Sequence, residues 1–257
     1  MLFRSAFFLD FYSYFYAEAK QNKPVKLKNH FLAKTFSGLL LLLLAFGCKS
    51  NFGSGRMQEG MIQYRIQYDT GGTGMAVQLM PKTMILKFKN HLSTNKIAGF
   101  MGLVEICNYS DARKQTNTTC LKFFNNKYSY TSGKDEPLCC FDPFKDMTIE
   151  NIDGETKVIA GYTCKKAMAR FPLDQNKDFE IYYTDEIKVQ SPNQNNPFHD
   201  IKGILMQFTL KMNKLMMHIT AESVKPAEFT SEDFKIPDGY RAISKQRMEE
   251  CLYTLME

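Results

Sequence analysis

From residue 60 onward, apolar side chains recur at every second position. Ile62, Tyr64, Ile66 and Tyr68 fall on one side of an extended chain, and Gln63, Arg65 and Gln67 fall on the other. That period of two marks a half-buried strand. Met84, Leu86 and Phe88 repeat the pattern, as do Phe179, Ile181 and Tyr183. Met206, Phe208, Leu210 and Met212 share one face of a further strand, and Leu215, Met217, Ile219 and Ala221 share a face of the next. Residues 100–107, 119–124, 127–131, 157–160 and 162–171 also read as strands. Asn125-Asn126, Asp153-Gly154, Gly161 and Met212-Asn213-Lys214 read as the turns between them. Short spacings favour antiparallel neighbours.

Helical periodicity is scarce. Residues 244–256 carry it best, with Ser244 as N-cap and Met248, Cys251, Leu252 and Leu255 on one stripe. Residues 135–146 read as loop with at most one short helix. Residues 191–200, with Pro192, Pro197 and several Asn and Gln, read as a long surface loop. The fold class expected is mainly β (α+β): a single curved antiparallel sheet or incomplete β-barrel, with a few short helices and a C-terminal helix. No linker divides the chain after residue 60, so residues 59–257 form one expected domain.

The N-terminal region changes the picture. Its one long apolar run, Phe36 to Phe46, includes six consecutive leucines and follows Lys26, Lys28 and Lys34. About 20 apolar residues are needed to span a bilayer, so this run has the dimensions of a secretory signal core. It ends in Ala45-Phe46-Gly47-Cys48, and the polar Lys49-Ser50-Asn51-Phe52-Gly53-Ser54-Gly55 follows. That pattern looks like a bacterial lipobox, with Cys48 as the lipidated residue and residues 48–58 as a flexible tether. Ala45 departs from the usual leucine. The alternatives are an ordinary cleaved signal, with Cys48 an incidental thiol, or an uncleaved anchor. Residues 1–47 form the expected signal region, and its first 25 residues, aromatic-rich but carrying Asp10 and Glu18, read as a misassigned start.

Charge follows from this division. The 257 residues carry a net +6, but residues 1–47 hold six of the basic and two of the acidic residues, which leaves +2 for the body. The body has no basic patch with interleaved aromatics, so no nucleic-acid partner is expected. Composition is otherwise that of a globular protein, at 44% hydrophobic and 23% charged residues.

Three segments, Leu79-Met80-Pro81-Lys82-Thr83-Met84, Ile159-Ala160-Gly161-Tyr162-Thr163-Cys164-Lys165-Lys166-Ala167 and Tyr183-Thr184-Asp185-Glu186-Ile187, carry a resemblance. Pro192-Asn193, Asn196-Pro197-Phe198, Ile201-Lys202-Gly203-Ile204-Leu205-Met206 and the ending Phe234-Lys235-Ile236-Pro237-Asp238-Gly239-Tyr240 with Ile243-Ser244 belong to it. Over residues 58–248 the chain resembles a family of Bacteroidetes lipoproteins of unknown function, associated with the LolA/LolB-like lipoprotein-carrier superfamily. The resemblance implies an incomplete barrel around an apolar hollow of the kind that holds acyl chains, and it carries over no catalytic residue.

The candidate ligand face is Met206, Phe208, Leu210, Met212, Met217 and Ile219, whose flexible thioethers and apolar groups suit an irregular ligand. Core packing is the competing reading. A soft-metal cluster at Met212, Met216, Met217 and His218 is disfavoured, because alternation points Met217 away from its neighbours. Six cysteines remain beyond Cys48, and Cys107 with Cys120 flank a hairpin as the first candidate for a disulfide. Their spacings suit no zinc site. No Gly-x-Ser-x-Gly occurs, Gly71-Gly72-Thr73-Gly74 lacks the lysine of a phosphate loop, and Asp185-Glu186 and Glu232-Asp233 read as solvated charge. No enzyme activity, cofactor or metal is therefore expected.

The expected function is a lipid-anchored module of the bacterial envelope, most simply at the outer membrane, that holds a lipid or other apolar ligand. The alternative is a structural lipoprotein with a filled core and an envelope-protein partner.

Overall fold

A computed structural model describes residues 56–69, 80–174, 177–212 and 215–255. The signal region, Cys48, most of the tether, the Gly71–Gly74 turn and the tip at 213–214 lie outside the described residues.

The chain builds two antiparallel meanders. The first runs through β1 (Glu59–Tyr68), β2 (Thr83–Lys89), β3 (Leu92–Gly99), β4 (Val104–Asp111), β5 (Thr116–Phe123) and β6 (Asn126–Ser132). The second runs through β7 (Thr148–Ile159), β8 (Tyr162–Arg170), β9 (Phe179–Thr184), β10 (Ile204–Met212) and β11 (Leu215–Pro226). Pairing of β11 with β1 joins them edge to edge, and β12 (Arg241–Ala242) adds a short parallel strand beside β6. The result is one open, curved twelve-stranded sheet in the order β12-β6-β5-β4-β3-β2-β1-β11-β10-β9-β8-β7, not closed into a barrel.

Strands expected from alternation form, and their apolar faces are buried. Ile62, Tyr64 and Ile66 on β1 are at most 2% exposed, and Phe88 on β2 is 0% exposed. Ser244 caps the helix α1 (Lys245–Leu255), its hydroxyl accepting the Arg247 N–H at 3.2 Å, while Met248 and Leu252 are buried. Two expectations need correction. Asp153-Gly154 is not a turn: it sits inside β7, where pairing with β8 shifts between Ile152 and Thr156. Gly154 takes φ +80° there, a conformation that lets the strand absorb extra residues as a bulge. The strand expected from residue 100 instead begins at Val104, because Phe100–Gly102 is a short 3-10 turn.

Three stretches cover the inner face, the side on which Ile62, Tyr64 and Phe88 lie. They are the crossing between the meanders, with its 3-10 turn at Asp142–Phe144, the loop at 191–200, and α1. The C-terminal tail reaches α1 by way of the outer face. There Lys87 pairs with Asp233 at 3.3 Å and lies 5.0 Å from the Phe229 ring, and Lys127 lies 5.6 Å from the Tyr240 ring. The tail then rounds the β6 edge through β12, and α1 packs on Leu121, Tyr128 and Tyr130. One segment thus grips both faces of the first meander. Among the described residues no helix is long and apolar enough to cross a membrane.

Candidate functional site

Register lets the inner face be followed strand by strand, since directly opposed residues point the same way. One row runs Tyr64, Met84, Ile97, Ile106, Leu121, Tyr128 from β1 to β6 and stays largely apolar. The next runs Ile62, Leu86, Asn95, Asn108, Thr119, Tyr130 and turns polar at β3. A third, Gly60, Phe88, Ser93, Ser110, Asn117, Ser132, turns polar at the same strand.

On the second meander the inner face is filled. Phe144 from the crossing and Phe198 from the 191–200 loop meet at 6.0 Å between centroids. Phe171 and Phe179 join them, and Phe198 meets Phe208 at 5.9 Å, which in turn meets Tyr64 at 6.0 Å. Phe198 is 0% exposed. The loop around it, expected at the surface, is instead braced from within. Asn193 Nδ2 donates to the Ile201 and Gly203 carbonyls at 2.6 and 2.9 Å, and Asn196 Oδ1 accepts the Phe198 N–H at 2.9 Å. Its asparagines serve buried backbone groups, so a polar composition coexists with burial.

Where this aromatic plug ends and the polar rows begin, a partly enclosed hollow of ≈ 130 Å³ remains. Its floor includes Met84, Ile97, Leu210, Met212, Leu215 and Met217, with Asn95, Asn108 and Thr119 on the polar side. Cys139, Cys140, Phe141, Asn195, Asn196 and Leu252 roof it. Of the expected ligand face, Phe208, Leu210, Met212 and Met217 line this hollow. Met206 and Ile219 do not: both are 0% exposed inside the core. The pairing of β10 with β9 shifts between Leu205 and Gln207, which sets Met206 at an irregularity of the strand. The Tyr64 hydroxyl donates to the Leu205 carbonyl beside it at 2.9 Å.

Two polar features of the hollow were not read from the sequence. Thr119 Oγ1 donates to Asn108 Oδ1 at 2.9 Å, which ties the polar strip across β4 and β5. Asn195, in the roof, is 5% exposed, and its Nδ2 has no hydrogen-bond partner among the described residues. Inward-facing asparagines on strands of weak alternation were the signal available. A larger cleft of ≈ 370 Å³, lined in part by Lys134, Glu136, His199 and Lys202, is a polar surface depression.

Cys107 and Cys120 oppose each other in register on β4 and β5, as free buried thiols on the outer face. Burial pushes both thiols up, Cys120 to about 12, and Cys164 rises to about 11 for the same reason. In the roof, the ligand atoms of Cys139, Cys140 and Glu249 all lie within 4.8 Å of one another. Glu249 Oε1 accepts the Cys140 N–H at 2.9 Å and pairs with Lys245 at 2.6 Å, so its charge is already answered. The Cys140 thiol is pushed up by its hydrogen bond with Cys139 and by burial. The Cys140 thiol therefore stays protonated at neutral pH, a poor start for metal binding or nucleophilic attack.

His218 turns outward. Its Nε2 lies 2.9 Å from Asp69 and its Nδ1 lies 3.1 Å from the Thr209 hydroxyl. Thr209 is buried whereas the imidazole and carboxylate are exposed, the reverse of what a nucleophile that must meet a substrate requires. Met217 faces the hollow on the opposite side from His218, as alternation implied.

No protein-family model matches this chain, and none of the curated proteins matches it.

Proposed function

We propose that this chain is a lipid-anchored binding module of a bacterial envelope, held to the membrane through Cys48 and holding an apolar ligand on the inner face of its sheet. The observation that carries this reading is the hollow itself: a space walled by methionines and leucines that the aromatic plug leaves unfilled and that α1 and two loops roof over. A cavity of 150 Å³ takes a benzene-sized body, so ≈ 130 Å³ suits one end of an acyl chain or a small apolar molecule. No catalytic step enters this reading.

Two measurements test it. Cells fed labelled palmitate should incorporate label into the full chain, and Cys48→Ser should abolish it; label retained in the variant refutes the anchor. Native mass spectrometry and lipid extraction of the purified protein should recover an apolar ligand, and the hollow should take up a small apolar probe. Failure of both refutes the binding role.

One observation favours a second reading, a structural lipoprotein that binds an envelope protein. Ligand pockets commonly run to about 300–1,000 Å³, and this hollow is smaller. A solid interior together with a recovered protein partner would establish that alternative.

A further inference from the structure

The roof of the hollow holds a buried donor with nothing to bond. Asn195 Nδ2 is enclosed and unpartnered among the described residues. Its orientation is set by its neighbour: Asn196 Nδ2 donates to Asn195 Oδ1 at 3.4 Å, and turning the Asn195 amide over would set two donors face to face. Buried polar groups are almost always bonded, so an orphan N–H beside an unfilled space points to an acceptor that belongs there. The rest of the hollow narrows what that acceptor is. Among the described residues that line it, none carries a charged side chain. The Tyr68 hydroxyl is already spent on the Pro81 carbonyl at 2.5 Å. A carboxylate there would lose its hydration with no counter-charge, and a plain hydrocarbon would leave Nδ2 as it is.

We propose that the hollow binds a neutral amphiphile: an apolar body of about six carbons seated against Met212 and Met217, with a carbonyl or hydroxyl oxygen that accepts a hydrogen bond from Asn195 Nδ2. This rests on the reading of the hollow as a binding site and specifies the ligand's chemistry. Asn95, Asn108 and Thr119 place a polar strip on the floor, so the ligand's polar end lies toward β3–β5 and its apolar end toward the methionines.

The test uses the full chain in phospholipid nanodiscs with ¹³C-methyl methionine. The signals of Met212 and Met217 report on the hollow and not on the surrounding lipid. n-Hexane, 2-hexanone and hexanoate are titrated at neutral pH into the wild type and Asn195→Leu. The expected result is that 2-hexanone and n-hexane shift both methyl signals and hexanoate does not. Asn195→Leu should weaken 2-hexanone by about three- to tenfold while n-hexane changes by less than about twofold.

If the variant treats ketone and alkane alike, the amphiphile proposal falls and apolar binding stands, an enclosed water then being the partner of Nδ2. If hexanoate binds best, the neutral-ligand proposal also falls. If no probe moves either signal, both readings fall. Should Asn195→Leu fail to fold, the carbonyl stretch of ¹³C-labelled 2-hexanone on the wild type decides. A shift to lower wavenumber than in hexane supports the bond, and an unshifted band refutes it.

Discussion

The second meander and strands β3–β6 of the first use the same sheet geometry and bury contrasting chemistry. The inner face of β7–β11 meets a plug of phenylalanines, with Phe198 and Phe208 5.9 Å apart and Ile181, Ala167 and Ala169 wholly buried beneath the same core. The inner face of β3–β6 offers Ser93, Asn95, Asn108, Asn117 and Ser132 instead, and α1 packs on Leu121 and Tyr128 of its apolar row and on Tyr130 at the end of the next. The 191–200 loop serves both. It sends Phe198 into the plug and ties itself to β5 through Asn117 Nδ2 to the Gln194 carbonyl and Gln194 Nε2 to the Thr116 carbonyl. The hollow lies where one regime gives way to the other. A curved sheet can therefore keep a cavity open by changing the polarity of a few inner positions, because polar side chains cannot collapse onto an aromatic plug without losing their partners.

The largest effect that would break this comparison is in the plug. Phe198→Ala should cost about 3–5 kcal/mol of stability, read by chemical denaturation, because Phe198 links Phe144, Phe179 and Phe208. A loss below about 1 kcal/mol would show that the plug is not a packed core. Gly203→Ala comes next. An added methyl there would stand 2.6 Å from the Thr184 carbonyl oxygen and 2.7 Å from the Tyr183 ring. The cost should be about 1–3 kcal/mol, and an unchanged denaturation midpoint would contradict the tight approach of β9 to this turn.

The polar strip should behave otherwise. Thr119→Val alone removes the donor to Asn108 and should destabilise by about 1–3 kcal/mol. Adding Asn108→Leu removes the acceptor as well and should bring the double variant back to within about 1 kcal/mol of the wild type. Measured as a double-mutant cycle, that recovery separates a bonded pair from two independent packing positions. If the two costs simply add, the strip is not a unit.

The same contrast explains what the sequence made legible. β1, β2, β10 and β11 carry apolar residues on alternate positions and were read from periodicity alone, down to the inward set Phe208, Leu210, Met212 and Met217. β3 went unread because its inward residues are Ser93, Asn95 and Ile97, an alternation with almost no hydrophobic contrast. The 191–200 loop was misplaced for the converse reason: its asparagines look solvated, yet Asn193 and Asn195 are buried and Asn193 bonds backbone carbonyls. Met206 and Ile219 share the expected strands but lie deep in the core, since period shows a side chain's face and not how far covering segments reach along it. The orphan donor of Asn195 depends on contacts across the whole chain, which no local pattern carries.

The smallest effect concerns acid, and it should separate the segments fastened across each meander from the packed strands beneath them. Glu59 accepts the Phe229 N–H and pairs with Lys89 at 3.0 Å, and Asp233 accepts the Thr230 N–H at 3.0 Å and pairs with Lys87; both carboxyls are held below their usual range by these bonds, the backbone ones foremost. Both fasten the tail that crosses β2–β6. On the second meander Asp178 is lowered in the same way, chiefly by accepting the Phe171 N–H at 2.8 Å. A carboxyl whose folded pKa is depressed adds stability above its unfolded value of about 4 and loses it as pH falls through the folded value. Solvent still reaches all three half-buried carboxyls, so each contribution is small. Between pH 5 and pH 3, amide protection factors, taken against the intrinsic exchange rate at each pH, should therefore fall at Phe229 and Thr230, and at Phe171, while those of β10 and β11 hold. A uniform fall in protection across the sheet would mean that the tail does not open on its own.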